Sequence, residues 1–339
     1  MQKPGRSRTK TGQIFCAARS PPAICNYMQG QEKLAIEVLL REDQIASQWR
    51  QALAHRFLDE KFFYWLPPSV QAWVELTRSA EYRNSNRAVQ VLSANAGAVV
   101  RIWPEAQSLC SLGCGEGSKD RILLRAYADQ GKPLHYVAAD FSQALLELAL
   151  VGADSAVASR RGVKFDVAEE SHLRALRPNG IATIYAVLGN TLGAFGAHHF
   201  PARLREIMGP GDRALFDGEI FDPKTTLQGY DNPANRRFAF SPLAALGLTE
   251  RDGELRFELR RGSGGVHEVA KFFVASRDLE LRVAGESLPL HSGEKILMSS
   301  SVKYDEDVFY PLLEHGGFLI ELAAKSEDGK FLLAAVRPR

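Results

Sequence analysis

Three glycines alternate in Gly113-Cys114-Gly115-Glu116-Gly117, and Ser118 and Lys119 follow directly. Without Cβ atoms, such a turn lets backbone approach a nucleotide-like ligand, and a helix starting there aims free N–H groups at the same place. Asp140 stands 25 residues beyond Gly115 at the end of an apolar run, where an acid can accept hydrogen bonds from ribose hydroxyls. Asp166 closes the next such run, where the amino group of an adenine could be held. Alone, each has a plainer reading, a glycine turn or a solvated loop acid. Their order along the chain is what points to a nucleotide-type ligand. Gly189-Asn190-Thr191-Leu192-Gly193-Ala194 opens out of a fourth apolar run and is the expected wall of the same site.

The elements that must position these residues follow from apolar periodicity. The spacing predicts helices over 32–57, from 70, 88–100, 142–151, 201–208, near 242–247 and over 305–315. Pro67-Pro68 is expected to stop any helix. Strands are predicted over 108–112, 134–140, 161–166, 181–188 and 213–221. Across 222–301 the strand–helix alternation stops, and runs of period two over 254–260, 266–275 and 279–283 read as an antiparallel insert. Two final strands, 318–323 and 330–336, are joined by an Asp328-Gly329 turn, so the last runs antiparallel to its neighbour. The expectation is an α/β fold with a Rossmann-like, doubly wound sheet of seven strands, the last antiparallel, and a second α+β domain. Its parts would be 85–222 plus 302–339 for the ligand and 32–84 plus 223–301 for substrate recognition.

The 339 residues carry 42 Lys and Arg against 40 Asp and Glu, so no overall field favours nucleic acid or membrane. No basic stripe with interleaved aromatics suggests a nucleic-acid partner, and no apolar run reaches the roughly 18 residues of a membrane span. Cys16, Cys25, Cys110 and Cys114 are too few and irregular for a disulfide framework and lack a matching second pair for a metal. Small buried residues in a reducing cytoplasm fit better. Residues 1–31 hold five basic residues and no acid, and Pro4, Pro21 and Pro22 spoil an amphipathic helix. They read as a disordered leader, with Met28 a possible alternative start.

The glycine spacing and the hairpin-closed sheet resemble the class I S-adenosylmethionine (SAM) methyltransferases. A narrower likeness rests on five motifs in one order: Phe63-Tyr64 through Glu81-Tyr82; the Gly113–Lys119 turn; Leu188-Gly189-Asn190-Thr191-Leu192-Gly193; Gly229-Tyr230-Asp231-Asn232; and Gly293-Glu294-Lys295 with Ser301-Val302-Lys303-Tyr304. This resembles the histidine-specific SAM-dependent methyltransferase family, which includes the Nα-methyltransferase of ergothioneine biosynthesis. The resemblance implies SAM as donor, S-adenosylhomocysteine (SAH) as product and a small-molecule amine as acceptor, in a monomer or homodimer without a metal. It implies that Gly113, Gly115, Gly117, Lys119, Asp140, Asp166 and Gly189 hold SAM. Tyr82, Gly189, Tyr230 and Ser301 would face the acceptor.

Three departures shape the expectation. Ala194 stands where the histidine enzymes carry an Asn for the amino-acid head group, and Ser299 where they carry a Glu for the imidazole. Ser111 replaces an acid common just before the turn. Each lost buried hydrogen bond costs about 1–3 kcal/mol, so the first two changes cost histidine about two or more factors of ten. Tyr82 and Tyr230 would aim the acceptor nitrogen. Glu219, closing the fifth run, is the best-placed acid to take a proton. The expected activity is N-methylation of a small amine or amino acid other than histidine. Two alternatives stay open: a histidine Nα-methyltransferase, and a SAM-fold binding protein without catalysis.

Overall fold

The computed structural model describes residues 34–153, 156–177, 180–283 and 285–339. The expected leader, with Cys16 and Cys25, lies outside them. Thirteen strands are found in the described residues. In chain order they are β1 (Ile36–Val38), β2 (Ser108–Leu112), β3 (Leu134–Asp140), β4 (Val157–Lys164), β5 (Thr183–Val187) and β6 (Arg213–Glu219). There follow β7 (Gly253–Arg261), β8 (Val266–Ala275), β9 (Leu279–Val283), β10 (Glu286–Leu290), β11 (Lys295–Tyr304), β12 (Phe318–Lys325) and β13 (Phe331–Pro338).

Eight of these form one sheet in the order β1-β4-β3-β2-β5-β6-β13-β12. Only β13 runs against its neighbours, antiparallel to both β6 and β12. All five residues of β2 are buried, as a strand covered on both faces must be. One face packs Val91, Leu92, Leu123 and Leu146 of helices Arg83–Ile102, Ser118–Ala128 and Gln143–Gly152. The other takes Phe200, Leu204, Phe309 and Leu313 of Phe200–Ile207 and Phe309–His315. Each such fully buried side chain contributes about 1.5–3 kcal/mol.

Residues 223–301 fold as expected for an antiparallel insert. A three-stranded sheet β11-β8-β7 and a β9-β10 pair are added there, and β10 and β11 extend the three strands expected.

Three expectations are corrected. The predicted helix 32–57 is a strand followed by a helix: β1 pairs in parallel with β4, and helix Glu42–Ala54 begins only after Arg41. Ile36 and Leu40 match the helical period by spacing alone. The Lys164 carbonyl instead accepts the N–H groups of Leu39 and Leu40, and the sheet gains an eighth strand. The 3₁₀ turn Glu60–Tyr64 does end before Pro67 and Pro68, but the prolines also open the next helix, Pro67–Arg78, three residues earlier than expected, since a missing N–H costs nothing in a first turn. The short helix near 242–247 is the end of a longer one, Pro233–Ala244, with Pro242 inside it. No described helix is long and apolar enough to cross a membrane.

Candidate cofactor and acceptor site

The carboxyl end of β2 delivers the glycine turn. Gly113, Gly115 and Gly117 all take positive φ, at 70°, 56° and 76°, a region that only glycine enters at no steric cost. A Cβ on Gly113 would lie 2.9 Å from Thr191 Cγ2 and 3.2 Å from Phe195 Cζ. The Gly115 N–H donates to Asp140 Oδ2 at 2.9 Å, and the Ser142 N–H donates to Asp140 Oδ1 at 2.9 Å. Burial pushes the Asp140 carboxyl up to about 6 against these backbone donors. Ser111 bonds away from the turn: its hydroxyl donates to Asp120 Oδ1 at 2.8 Å, and Tyr136 donates to the other oxygen.

Asp166 follows β4 and is 2 % exposed. Its Oδ2 meets Lys61 Nζ at 2.5 Å, and its Oδ1 accepts the Ala168 N–H at 2.9 Å. Lys61 comes from the 3₁₀ turn Glu60–Tyr64, so the N-terminal segment is tied to the tip of the parallel sheet. After β5, the Gly189 and Asn190 N–H groups grip the Asp217 carboxylate at 2.8 and 2.7 Å. Burial raises Asp217 to about 6.

These groups share one cleft of about 1200 Å³, open to solvent. Gly113, Gly115, Lys119, Asp140, Asp166 and Gly189 line it together with Glu60, Tyr64, Trp73, Tyr82, Ala194 and Ser301. Tyr64, Trp73 and Tyr82 meet edge to face, with centroids 5.3 and 5.9 Å apart. Burial raises the Tyr82 phenol, and the charges of Glu60 and Glu219 add to it, so Tyr82 stays a neutral hydrogen-bonding group.

Behind Ser301 lies a buried polar network. Tyr230 OH is 3.1 Å from Ser301 Oγ and donates to Glu219 Oε2 at 3.0 Å. Lys303 Nζ is 2.8 Å from the same Glu219 oxygen and donates to Ser301 Oγ at 2.8 Å. Asn84 Nδ2 reaches both Glu219 and Tyr230, and Arg87 lies 3.9 Å from Glu219 Oε1. Burial pulls Lys303 down while Glu219 holds it up. Glu219 and Tyr230 line a smaller cavity of about 370 Å³ that shares Tyr82 with the main cleft.

Of the residues singled out in the sequence, Gly113, Gly115, Lys119, Asp140, Asp166, Gly189, Tyr82, Ala194 and Ser301 therefore come together in one cleft. Gly117 caps the following helix, and Glu219 and Tyr230 stand behind Ser301. Ser299, 1 % exposed and at φ 108°, accepts a hydrogen bond from Lys271 Nζ at 3.3 Å and is not among the cleft-lining residues. Sequence reasoning missed Glu60, Lys61, Trp73, Asn84, Lys271 and Lys303. Asn84 lies two residues beyond Tyr82, just past the end of the first motif, but nothing local marks a lysine in a strand as the partner of an acid 84 positions away.

With that geometry in place, the comparisons with known proteins agree. The histidine-specific, SAM-dependent methyltransferase family matches residues 45–338, and the chain belongs to that family. Relatives include N-methyltransferase imqF of Aspergillus flavus, 23 % identical over 293 residues, covering 79 % of this chain and 77 % of that one. The histidine N-alpha-methyltransferase of Mycobacterium tuberculosis is 25 % identical, covering 73 % and 79 %. Ergothioneine biosynthesis protein 1 of Neurospora crassa is 24 % identical over 90 % of this chain, which spans only 36 % of that protein's length. The chain is thus a SAM-dependent methyltransferase, with the expected mostly parallel sheet enlarged by one strand.

Proposed function

We propose that this enzyme methylates the nitrogen of a small-molecule amine or amino acid other than histidine. The observation that carries the reading is the shared cleft, in which the glycine turn and its two acids open directly onto Tyr64, Trp73, Tyr82 and Ser301. The residues suit SAM: Asp140 at the turn fits ribose hydroxyls, Asp166 an adenine amino group, and the Gly113–Gly115 backbone leaves room for the chain between them. When bound, SAM supplies a methyl group on a sulfonium.

The protein's own part is alignment, for which proximity and orientation offer about 7–11 kcal/mol. An α-amino group, with a reference pKa near 7.7–8.0, is partly neutral without help. Tyr82 and Ser301 can then aim its lone pair. Glu219 is engaged by Lys303, Tyr230 and Asn84, which makes it the anchor of Tyr230 rather than a free base. Ala194 leaves space and no hydrogen-bonding group at the cleft wall, which disfavours histidine's head group.

The test is SAH binding by calorimetry, followed by steady-state methylation of amino acids and amines. Uptake of SAH and turnover of a nitrogen acceptor with kcat/KM at least tenfold above histidine are expected. Preference for histidine, or SAH binding without turnover of any amine, refutes the reading.

A further inference from the structure

Three lysines are buried among the described residues: Lys164, Lys271 and Lys303. Lys164 pairs with Glu42 and Lys303 with Glu219. Among the described residues, no carboxylate lies within ion-pair distance of Lys271. Its ammonium makes one hydrogen bond, to Ser299 Oγ at 3.3 Å, and otherwise lies over the rings of Phe63 and Phe238 at 5.8 and 6.0 Å. A buried charge without a counter-ion is costly and is normally matched. Burial accordingly pulls the Lys271 pKa down, with Glu60 acting against that at longer range.

The sheet register places this lysine beside the acceptor half of the cleft. Ser301, which lines the cleft, pairs with Val269, and Lys271 stands two residues along β8, on the same face. Phe238, which Lys271 touches, packs against Tyr64 at 5.7 Å and Trp73 at 5.4 Å, and both of those line the cleft. The ammonium is therefore one ring removed from the acceptor. Its one hydrogen-bond partner among the described residues, Ser299, is held at φ 108°, a strained conformation for a serine of the kind that collects at ligand sites.

We infer that Lys271 selects an acceptor whose side chain ends in an acid group, with the carboxylate of the substrate supplying the counter-charge that the protein withholds. This rests on the N-methyltransferase reading and names its substrate class. The aromatic walls take the body of such a molecule, its acid is drawn toward the Lys271 charge across the Phe238 ring, and the amine is left at Tyr82 and Ser301.

The experiment compares matched acid and amide ligands: glutamate with glutamine, aspartate with asparagine, and 4-carboxyphenylalanine with 4-carbamoylphenylalanine. Binding to the SAH-loaded protein is measured by calorimetry, and kcat/KM is measured with SAM. At least one acid is expected to be preferred over its amide by about 10- to 100-fold, the range of a charge–charge attraction acting across one ring. Lys271→Met is expected to bring that ratio close to one through weaker binding of the acid, while SAH affinity stays unchanged. Lys271→Arg is expected to restore part of it. Equal or better binding of every amide, or a preference untouched in Lys271→Met, overturns the inference. Acid-selective binding without turnover counts against the N-methyltransferase reading and leaves the selectivity standing. Turnover of neutral amines alone does the reverse.

Discussion

The Glu219–Lys303 pair allows a quantitative test of the wall behind the acceptor site. The two side chains are 6 % and 0 % exposed and 2.8 Å apart. Removing one partner of such a pair strands a charge, at a cost of about 3–5 kcal/mol. Glu219→Gln should sit in that range, because Lys303 would keep no carboxylate, just Ser301 Oγ, the Val302 carbonyl and the face of the Tyr230 ring. Lys303→Met should cost less, since Glu219 retains Tyr230, Asn84 and Arg87 at 3.9 Å. The double variant removes both charges and should be more stable than Glu219→Gln alone, in line with the near-neutral replacement of whole buried pairs. A loss of 3–5 kcal/mol corresponds to roughly 4–7 °C in Tm for a chain of this size. Urea unfolding of the four proteins at pH 7 measures all three differences. If the double variant falls below both single variants, or if Glu219→Gln costs under about 1 kcal/mol, the pair is not the buried ion pair described above.

Two further outcomes are expected. Asp140 has its folded pKa raised to about 6 from 3.8, so the fold favours its protonated form; that contribution to stability is present below about pH 4 and is lost as pH rises through 6. Ligand binding runs the other way, because the ionised carboxylate is the better acceptor for ribose hydroxyls. SAH affinity should therefore fall as pH drops below about 6, by roughly tenfold at pH 5, and Asp140→Asn should bind weakly with that dependence flattened. Gly113→Ala should lose about 1–2 kcal/mol, from left-handed backbone and the 2.9 Å approach to Thr191, and should weaken SAH binding along with stability, as thermal melts and calorimetry on one sample can check.

The parallel sheet was legible because its strands are covered on both faces. The runs 108–112 and 134–140 are short, mostly apolar segments bounded by Gly113 and by Gly131-Lys132-Pro133, and both were located to the residue. β1 was not legible, since three residues at a sheet edge, two of them exposed, carry no period of their own. The prolines at 67 and 68 misled because the same residue ends one helix and begins another, and only the chain direction around it decides. The end of the cleft proposed for the cofactor follows from short-range signals, glycines and strand-end acids within two consecutive βαβ units. The acceptor end does not. Glu60 and Trp73, and Lys271 behind the wall, acquire meaning only when a 3₁₀ turn, a helix and an antiparallel strand meet, and that meeting is tertiary.

Asn190 has a consequence beyond its own bonds. Its side-chain carbonyl accepts the Glu219 N–H at 3.0 Å, while its amide donates to the Val302 carbonyl at 2.9 Å. Its own N–H is fastened to Asp217. One asparagine thus rivets the strand that ends in the polar network to the strand that carries Ser301, directly beside the cofactor loop. The far reaches of the antiparallel sheet can be rebuilt to suit a new guest while the distance from that guest to the sulfonium stays set at the rivet. A lineage could change what it methylates without relearning how to line up the transfer.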